Sequence, residues 1–330
     1  MIRPFGVLAD GGIVESVTLG DDHGLQAEIL TYGGILRSLT LPVRGQRRQL
    51  VLSLPDLAAY VADASYQGAL IGRCANRIAG ASCTLEDRHC VLAANEGEHH
   101  LHGGHRGFGK RLWQLLQFDA APNPRLLLQL QCADGEEGYP GALRVTAEFS
   151  VTAQQLDLRL RASSDRTTVF NPTYHPYFNL TGDPALPVDS HRLRIAAGAF
   201  LPVTPDRIPT GERRRVDGTT FDFRALRSVR STEDEGFDHC WTLDAGRDCD
   251  AELHSPQGDV SLRLSSNQPG LQFYTGQGLT QRHPGWHGLC LEPGGWPNAV
   301  NEAAFPSVIL EAGAGFEALF HYRFSTPGND

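Results

Sequence analysis

The chain has 330 residues, 41% hydrophobic and 20% charged, with 29 basic against 38 acidic side chains and a net charge of −9. That length holds one large domain or two ordinary ones, and the composition excludes a disordered chain, which needs fewer apolar residues and a stronger charge imbalance. The acidic balance argues against nucleic acid or an anionic membrane surface as a partner, and no stretch is long and apolar enough to span a bilayer.

At the N-terminus, Met1-Ile2-Arg3-Pro4-Phe5-Gly6 has no basic region followed by an apolar run, so no signal peptide is expected. The cysteines Cys74, Cys83, Cys90, Cys132, Cys240, Cys249 and Cys290 include no Cys-x-x-Cys pair. This spacing indicates neither a zinc site nor a disulfide framework, and reduced thiols in a cytoplasmic protein fit best. Cys74 alone could be read as a nucleophile, but no base stands beside it in the sequence.

Helical pattern is scarce. The best stretch is Pro55 to Ala64, with Ser53 as N-cap and Pro55 in the first turn. The run Gly72-Arg73-Cys74-Ala75-Asn76-Arg77-Ile78 follows, and its two arginines and asparagine offer donors suited to sugar hydroxyls or a carboxylate. Structural salt bridges would use the same arginines equally well. Next comes Asn95-Glu96-Gly97-Glu98-His99-His100-Leu101-His102-Gly103-Gly104. On a strand His100 and His102 would share a face, which invites a metal, but glycines follow and the spacing suggests no third ligand. Hydrogen-bonding histidines are the better reading, and no metal is expected.

Strand periodicity then takes over. Leu143, Val145, Ala147, Phe149 and Val151 alternate with Arg144, Thr146, Glu148 and Ser150, and Leu156, Leu158 and Leu160 alternate with Asp157, Arg159 and Arg161. Two half-buried strands are predicted, joined by a hairpin at Thr152-Ala153-Gln154-Gln155. In Asn171-Pro172-Thr173-Tyr174-His175-Pro176-Tyr177-Phe178-Asn179-Leu180 a histidine is enclosed by aromatics and proline, surroundings that favour neutral imidazole unless a carboxylate is near. Arg213-Arg214-Arg215 is a short run after Glu212 and reads as a solvated face. Val260, Leu262 and Leu264 alternate with Ser261, Arg263 and Ser265 as another strand. Finally, Leu289-Cys290-Leu291-Glu292-Pro293-Gly294-Gly295-Trp296-Pro297-Asn298 brings a carboxylate out of an apolar run into a tight turn. Such a carboxylate is either a poised acid/base or the partner of an arginine. The 36 glycines and 20 prolines fall mostly between apolar runs, and no repeat or long linker marks a boundary. The expectation is one all-β domain over residues 1–330 with long functional loops.

In this order and spacing, these clusters resemble the galactose mutarotase (aldose 1-epimerase) family over nearly the whole chain. Family-like segments are 72–78, Leu101-His102-Gly103-Gly104 on to Trp113, Asp134 to Gly141, Asn171 to Leu180 and Ile208-Pro209-Thr210-Gly211 with Phe221 to Arg224. The others are Phe237-Asp238-His239, Gln272 to Gly276 and Leu291-Glu292-Pro293. The resemblance implies an all-β supersandwich of antiparallel sheets with an open sugar-binding cleft. It implies Glu292 as general base on the anomeric hydroxyl, His175 as general acid toward the ring oxygen and His102 as helper there. Asn76, Arg77, Asp238 and Gln272 would bind sugar hydroxyls. The implied reaction interconverts the α and β anomers of a free aldose such as galactose or glucose, without a cofactor, in a monomer or homodimer. Tyr174, Gly294, Gly295 and Asn298 depart from the family pattern, so a preference for galactose does not carry over. Other readings of the same residues are a non-catalytic carbohydrate-binding protein, a mutarotase for sugar phosphates using Arg73 with Arg77, and a glycoside hydrolase with Asp238 as second carboxylate.

Overall fold

The computed structural model describes residues 1–120, 122–230, 236–279 and 285–327. The alternating runs form strands with the predicted faces. Leu143–Val151 and Gln155–Ser164 bury every second residue and pair in one continuous antiparallel register, from Leu143 opposite Ser164 to Val151 opposite Leu156. The hairpin therefore closes where the sequence placed it, with Gln155 already in the second strand.

These two strands lie in a nine-stranded antiparallel sheet. Its order is Gln114–Asp119, Arg125–Cys132, Leu143–Val151, Gln155–Ser164, Gly315–Ser325, Ser261–Ser266, Ala251–His254, Arg192–Ile195 and Arg227–Ser228. A six-stranded sheet runs Tyr177–Phe178, Leu289–Gly294, Gly270–Tyr274, Asp238–Thr242, Ala199–Leu201 and Arg214–Arg215. A five-stranded meander of neighbouring strands spans Ile2 to Gln49. One contiguous core joins all three, with Val17 and Ile29 from the meander, Val145, Phe149 and Leu158 from the large sheet, and Leu271, Phe273, Leu289 and Leu291 from the six-stranded sheet.

Beneath the six-stranded sheet, Trp241 packs against Phe223, Phe237 and Phe273 with ring centroids 5.8, 6.0 and 5.7 Å away. Tilted and edge-on contacts of this kind are each worth ~0.5–1.5 kcal/mol beyond area burial, and they make the sheet a rigid platform.

The helix is shorter than expected, Leu57–Ala62. Its N-cap is Asp56, whose carboxylate accepts from the Ala59 N–H at 2.8 Å, and not Ser53. A carboxylate three residues before a free N–H satisfies an orphan donor directly, and this moves the helix start past Pro55. Among the described residues, no helix is long and apolar enough to cross a membrane.

Candidate active site

The two-residue period of a strand decides what faces outward from the six-stranded sheet. In Leu289–Gly294, Leu289 and Leu291 enter the core, so Cys290, Glu292 and Gly294 share the opposite face. Register then sets the neighbours. Gln272 stands opposite Glu292, and Cys240 opposite Gln272. Asp238 lies diagonal to Gln272 on the same face, and the Gln272 amide donates to Asp238 Oδ1 at 2.7 Å.

Loops and short strands wall in this floor. Thr173–Tyr174 pairs with Leu70–Ile71, and Tyr177–Phe178 pairs with Leu289–Cys290. His175 lies at the crossing, where Pro176 favours extended backbone at the residue before it. Its N–H donates to Ala69 O and its carbonyl accepts from Gly68 N, both at 3.0 Å. His100–Leu101 pairs with Arg77–Ile78, which carries His102 over Asn76. The His102 N–H donates to Asn76 O and the Asn76 N–H donates to His102 Nδ1, each at 3.2 Å.

All seven residues named from the sequence line one cleft of about 510 Å³: Asn76, Arg77, His102, His175, Asp238, Gln272 and Glu292. His175 Nε2 is 3.6 Å from Glu292 Oε1, and both side chains are only 5% exposed. Burial lowers His175 to about 4 and, reinforced by Asp238, raises Glu292 well above the usual carboxylate range. Each group alone is therefore driven neutral, while the short gap between them favours the ion pair, so the two are poised around one proton. His102 also falls well below the usual histidine range, through burial and then the neighbouring His175. With Nδ1 accepting from Asn76, neutral His102 carries its proton on Nε2.

Arg77 holds Glu96 through two bonds of 2.6 and 2.8 Å, and Nη1 approaches Asp238 to 4.0 Å. It is thus both a salt-bridge arginine and a cleft residue, so the two sequence readings of the 72–78 run meet in one side chain. Arg73 is different. It is buried outside the cleft lining and donates to Pro140 O, Ala133 O and Thr168 Oγ1. The arginine pair that suggested a phosphate site is therefore split between core and cleft.

The three histidines of the 95–104 run also separate. His99 Nδ1 accepts from Gly80 N, while His100 is buried between Ala93 O and the Tyr139 hydroxyl. Among the described residues, the cleft's His175 and Glu292 form one group of metal-ligating type with Cys290, which is fully buried and does not line the cleft. Nδ1 of His175 faces Cys290 and Nε2 faces Glu292. Cys74 is buried, with its thiol pushed up to about 12, far from the thiolate a nucleophile requires.

The four departures from the family pattern fall into two groups. Tyr174 is buried with its hydroxyl on Gly34 O, and Asn298 accepts from Ala79 N and the Asn301 amide from a left-handed backbone at φ 59. Both are framework residues. Gly294 and Gly295 border a small cavity behind Glu292 that is shared with Gln272 and Asn171.

Several cleft residues carry no signal in the sequence. Asp63, Tyr66 and Gln67 come from the loop after the helix, and Arg207, which lines an adjoining hollow with Arg77, reaches Asp238 Oδ2 at 3.2 Å from a turn 31 residues away. Only the polar run Ser65-Tyr66-Gln67 just before the 72–78 segment could have drawn attention to that wall.

The aldose 1-epimerase family model matches residues 15–323. The chain is 37% identical to a galactose mutarotase of Sus scrofa over 343 aligned positions, covering 97% of each protein. It is 32% identical to an aldose 1-epimerase of Escherichia coli K12, covering 96% of each. The solved galactose 1-epimerase of Lactobacillus acidophilus superposes with a TM-score of 0.88 at 26% identity, over 99% of this chain and 98% of that one. The antiparallel sheets with their cleft are thus of galactose mutarotase-like fold, and the chain belongs to the aldose 1-epimerase family.

Proposed function

We propose that the protein is an aldose 1-epimerase, an isomerase that interconverts the α and β anomers of a free aldose through the open-chain aldehyde. The carrying observation is the buried carboxylate–imidazole pair, Glu292 and His175, 3.6 Å apart in a cleft also lined by Asn76, Arg77, Asp238 and Gln272. Ionised Glu292 takes the proton of the C1 hydroxyl while protonated His175 delivers its Nε2 proton to the ring oxygen. The C1–O5 bond breaks, the aldehyde turns about C1–C2, and reclosure on its other face returns both protons. Each positioned acid or base contributes ~10²–10⁴-fold.

His102, neutral with Nε2–H, supplies a fixed donor at the ring oxygen without competing for the proton. Asp238 is held by Gln272 and Arg207, and its remaining acceptor capacity suits vicinal hydroxyls. Asn76, Arg77 and Gln272 complete the hydroxyl contacts. No electron changes hands, so the reaction as written calls for no cofactor. We further propose one domain over residues 1–330, a cytoplasmic location, no nucleic-acid or membrane partner, and a monomer or homodimer.

Polarimetry of freshly dissolved α-D-glucose and α-D-galactose tests the reading. Wild type should accelerate the approach to equilibrium and Glu292→Gln should not. A wild type that binds these sugars without acceleration would instead establish a carbohydrate-binding protein.

A further inference from the structure

Buried acceptors without a donor are costly and rare in native proteins, so each marks a place where something else completes the bond. Among the described residues, two side-chain carbonyl oxygens are buried without a partner, Gln67 Oε1 and Gln272 Oε1. Both residues line the cleft. A sugar presents hydroxyl donors, the complement these two oxygens lack.

The orientation of the Gln67 amide is settled by its neighbours. Its Nε2 donates to Ser65 Oγ at 3.1 Å, and the Ser65 hydroxyl donates to Asp63 Oδ1 at 2.5 Å. A flipped amide would set its oxygen against a hydroxyl whose proton is already committed, so Oε1 is the free end. The loop itself is anchored. Asp63 accepts from Ser65 N at 3.0 Å and Gln67 N at 2.9 Å, and the Tyr177 hydroxyl donates to Ser65 O at 3.0 Å.

Position along the sugar follows from His175. Cys290 Sγ and Glu292 stand against its ring at 3.4 and 3.6 Å, while its backbone is bonded to Gly68 and Ala69. In the proposed reaction the C1 hydroxyl lies at Glu292 and the ring oxygen at His175, so C5, bonded to that oxygen, lies on the His175 side of the ring. Gly68, which hydrogen-bonds His175, directly follows Gln67 in the chain. In hexoses C5 bears a hydroxymethyl group, and in pentoses only hydrogen.

We infer that Gln67 is a specificity-determining residue whose Oε1 accepts the C6 hydroxyl of a hexose, so that the cleft selects hexoses over pentoses. This rests on the mutarotase reading above. The test compares wild type with Gln67→Met, which keeps length and loses the acceptor, on D-galactose against L-arabinose and D-glucose against D-xylose. The members of each pair differ only in the hydroxymethyl group.

The substitution should lower kcat/KM for both hexoses about tenfold, chiefly through KM, the factor one hydrogen bond supplies. Both pentoses should change less than about twofold, and D-fucose, which keeps C6 but lacks its hydroxyl, should behave as a pentose. The hexose-to-pentose ratio is internal to each preparation, so partial misfolding cancels, and Gln67→Leu gives the same comparison. An equal loss on all five sugars, or none on the hexoses, overturns the role of Gln67 while leaving mutarotation standing. A wild type inactive on all of them overturns the parent reading, and this inference with it.

Discussion

Glu292 is the base of the proposed reaction, and its burial has a stability consequence. A carboxyl whose folded value is raised holds its proton in the fold while the unfolded chain ionises above about 4.5, so it costs stability as pH rises beyond that point. Glu292→Gln removes the cost along with the proposed base. We expect activity to fall below a tenth of wild type and the thermal midpoint to stay level or rise. Polarimetry and a thermal scan on one preparation check both, and retention of more than a tenth of the rate removes Glu292 from the base role. His175→Asn should cost a similar order in kcat. His102→Asn should cost less, because in the proposed reaction a neutral donor at the ring oxygen assists a transfer assigned to His175. A larger effect at His102 than at His175 would reverse that assignment.

At the scale of elements, the site depends on how closely the 72–78 and 101–104 segments approach. Gly103 sits at φ 86, and a Cβ there would stand 1.7 Å from Gly72 O, a backbone atom that also receives Phe108 N. Neither partner is a flexible side chain, so Gly103→Ala must force the two segments apart. The expected cost is about 2–3 kcal/mol of stability, together with misplacement of His102 relative to His175. Denaturant unfolding measures the first and kcat the second, and a variant matching wild type in both would show that this contact tolerates separation. Gly294 makes the contrast, since its Cβ would meet nothing closer than Asn171 Oδ1 at 3.4 Å. Gly294→Ala should fold normally, with an unfolding midpoint close to wild type.

Among the described residues of the molecule as a whole, buried lowered histidines outnumber buried raised carboxyls, and this sets the response to acid. His175, His191 and His239 are each lowered to about 4 by burial, and His100 and His102 are lowered as well. A lowered histidine binds fewer protons folded than unfolded, so its contribution is complete above about 6.5 and is lost as pH falls toward 4. His191 shows the structural reason, since its Nε2 accepts from Leu180 N and protonation would end that bond. Glu292 and Asp250, both raised, act in the opposite sense but are fewer. The melting temperature should therefore drop between pH 6.5 and 4.5, before most carboxylates titrate. A flat profile over that window would show that these histidines are not held neutral in the fold.

The sequence by itself determined the strand character and inward faces of Leu143–Val151 and Gln155–Ser164, because a period of two needs only local information. Motif order pointed to the family and to the seven residues that line the cleft. Where the helix begins was decided by capping competition between Ser53 and Asp56, a choice between similar side chains that needs coordinates. Arg73 and Arg77, four residues apart with the same chemistry, were sent to the core and to the cleft by how the 72–78 loop is tied to Asn171 and His102. Gln67 and Arg207 have no periodicity or motif of their own. Only tertiary structure, by bringing distant loops to the face of the six-stranded sheet, gives them a place beside Asp238 and Gln272.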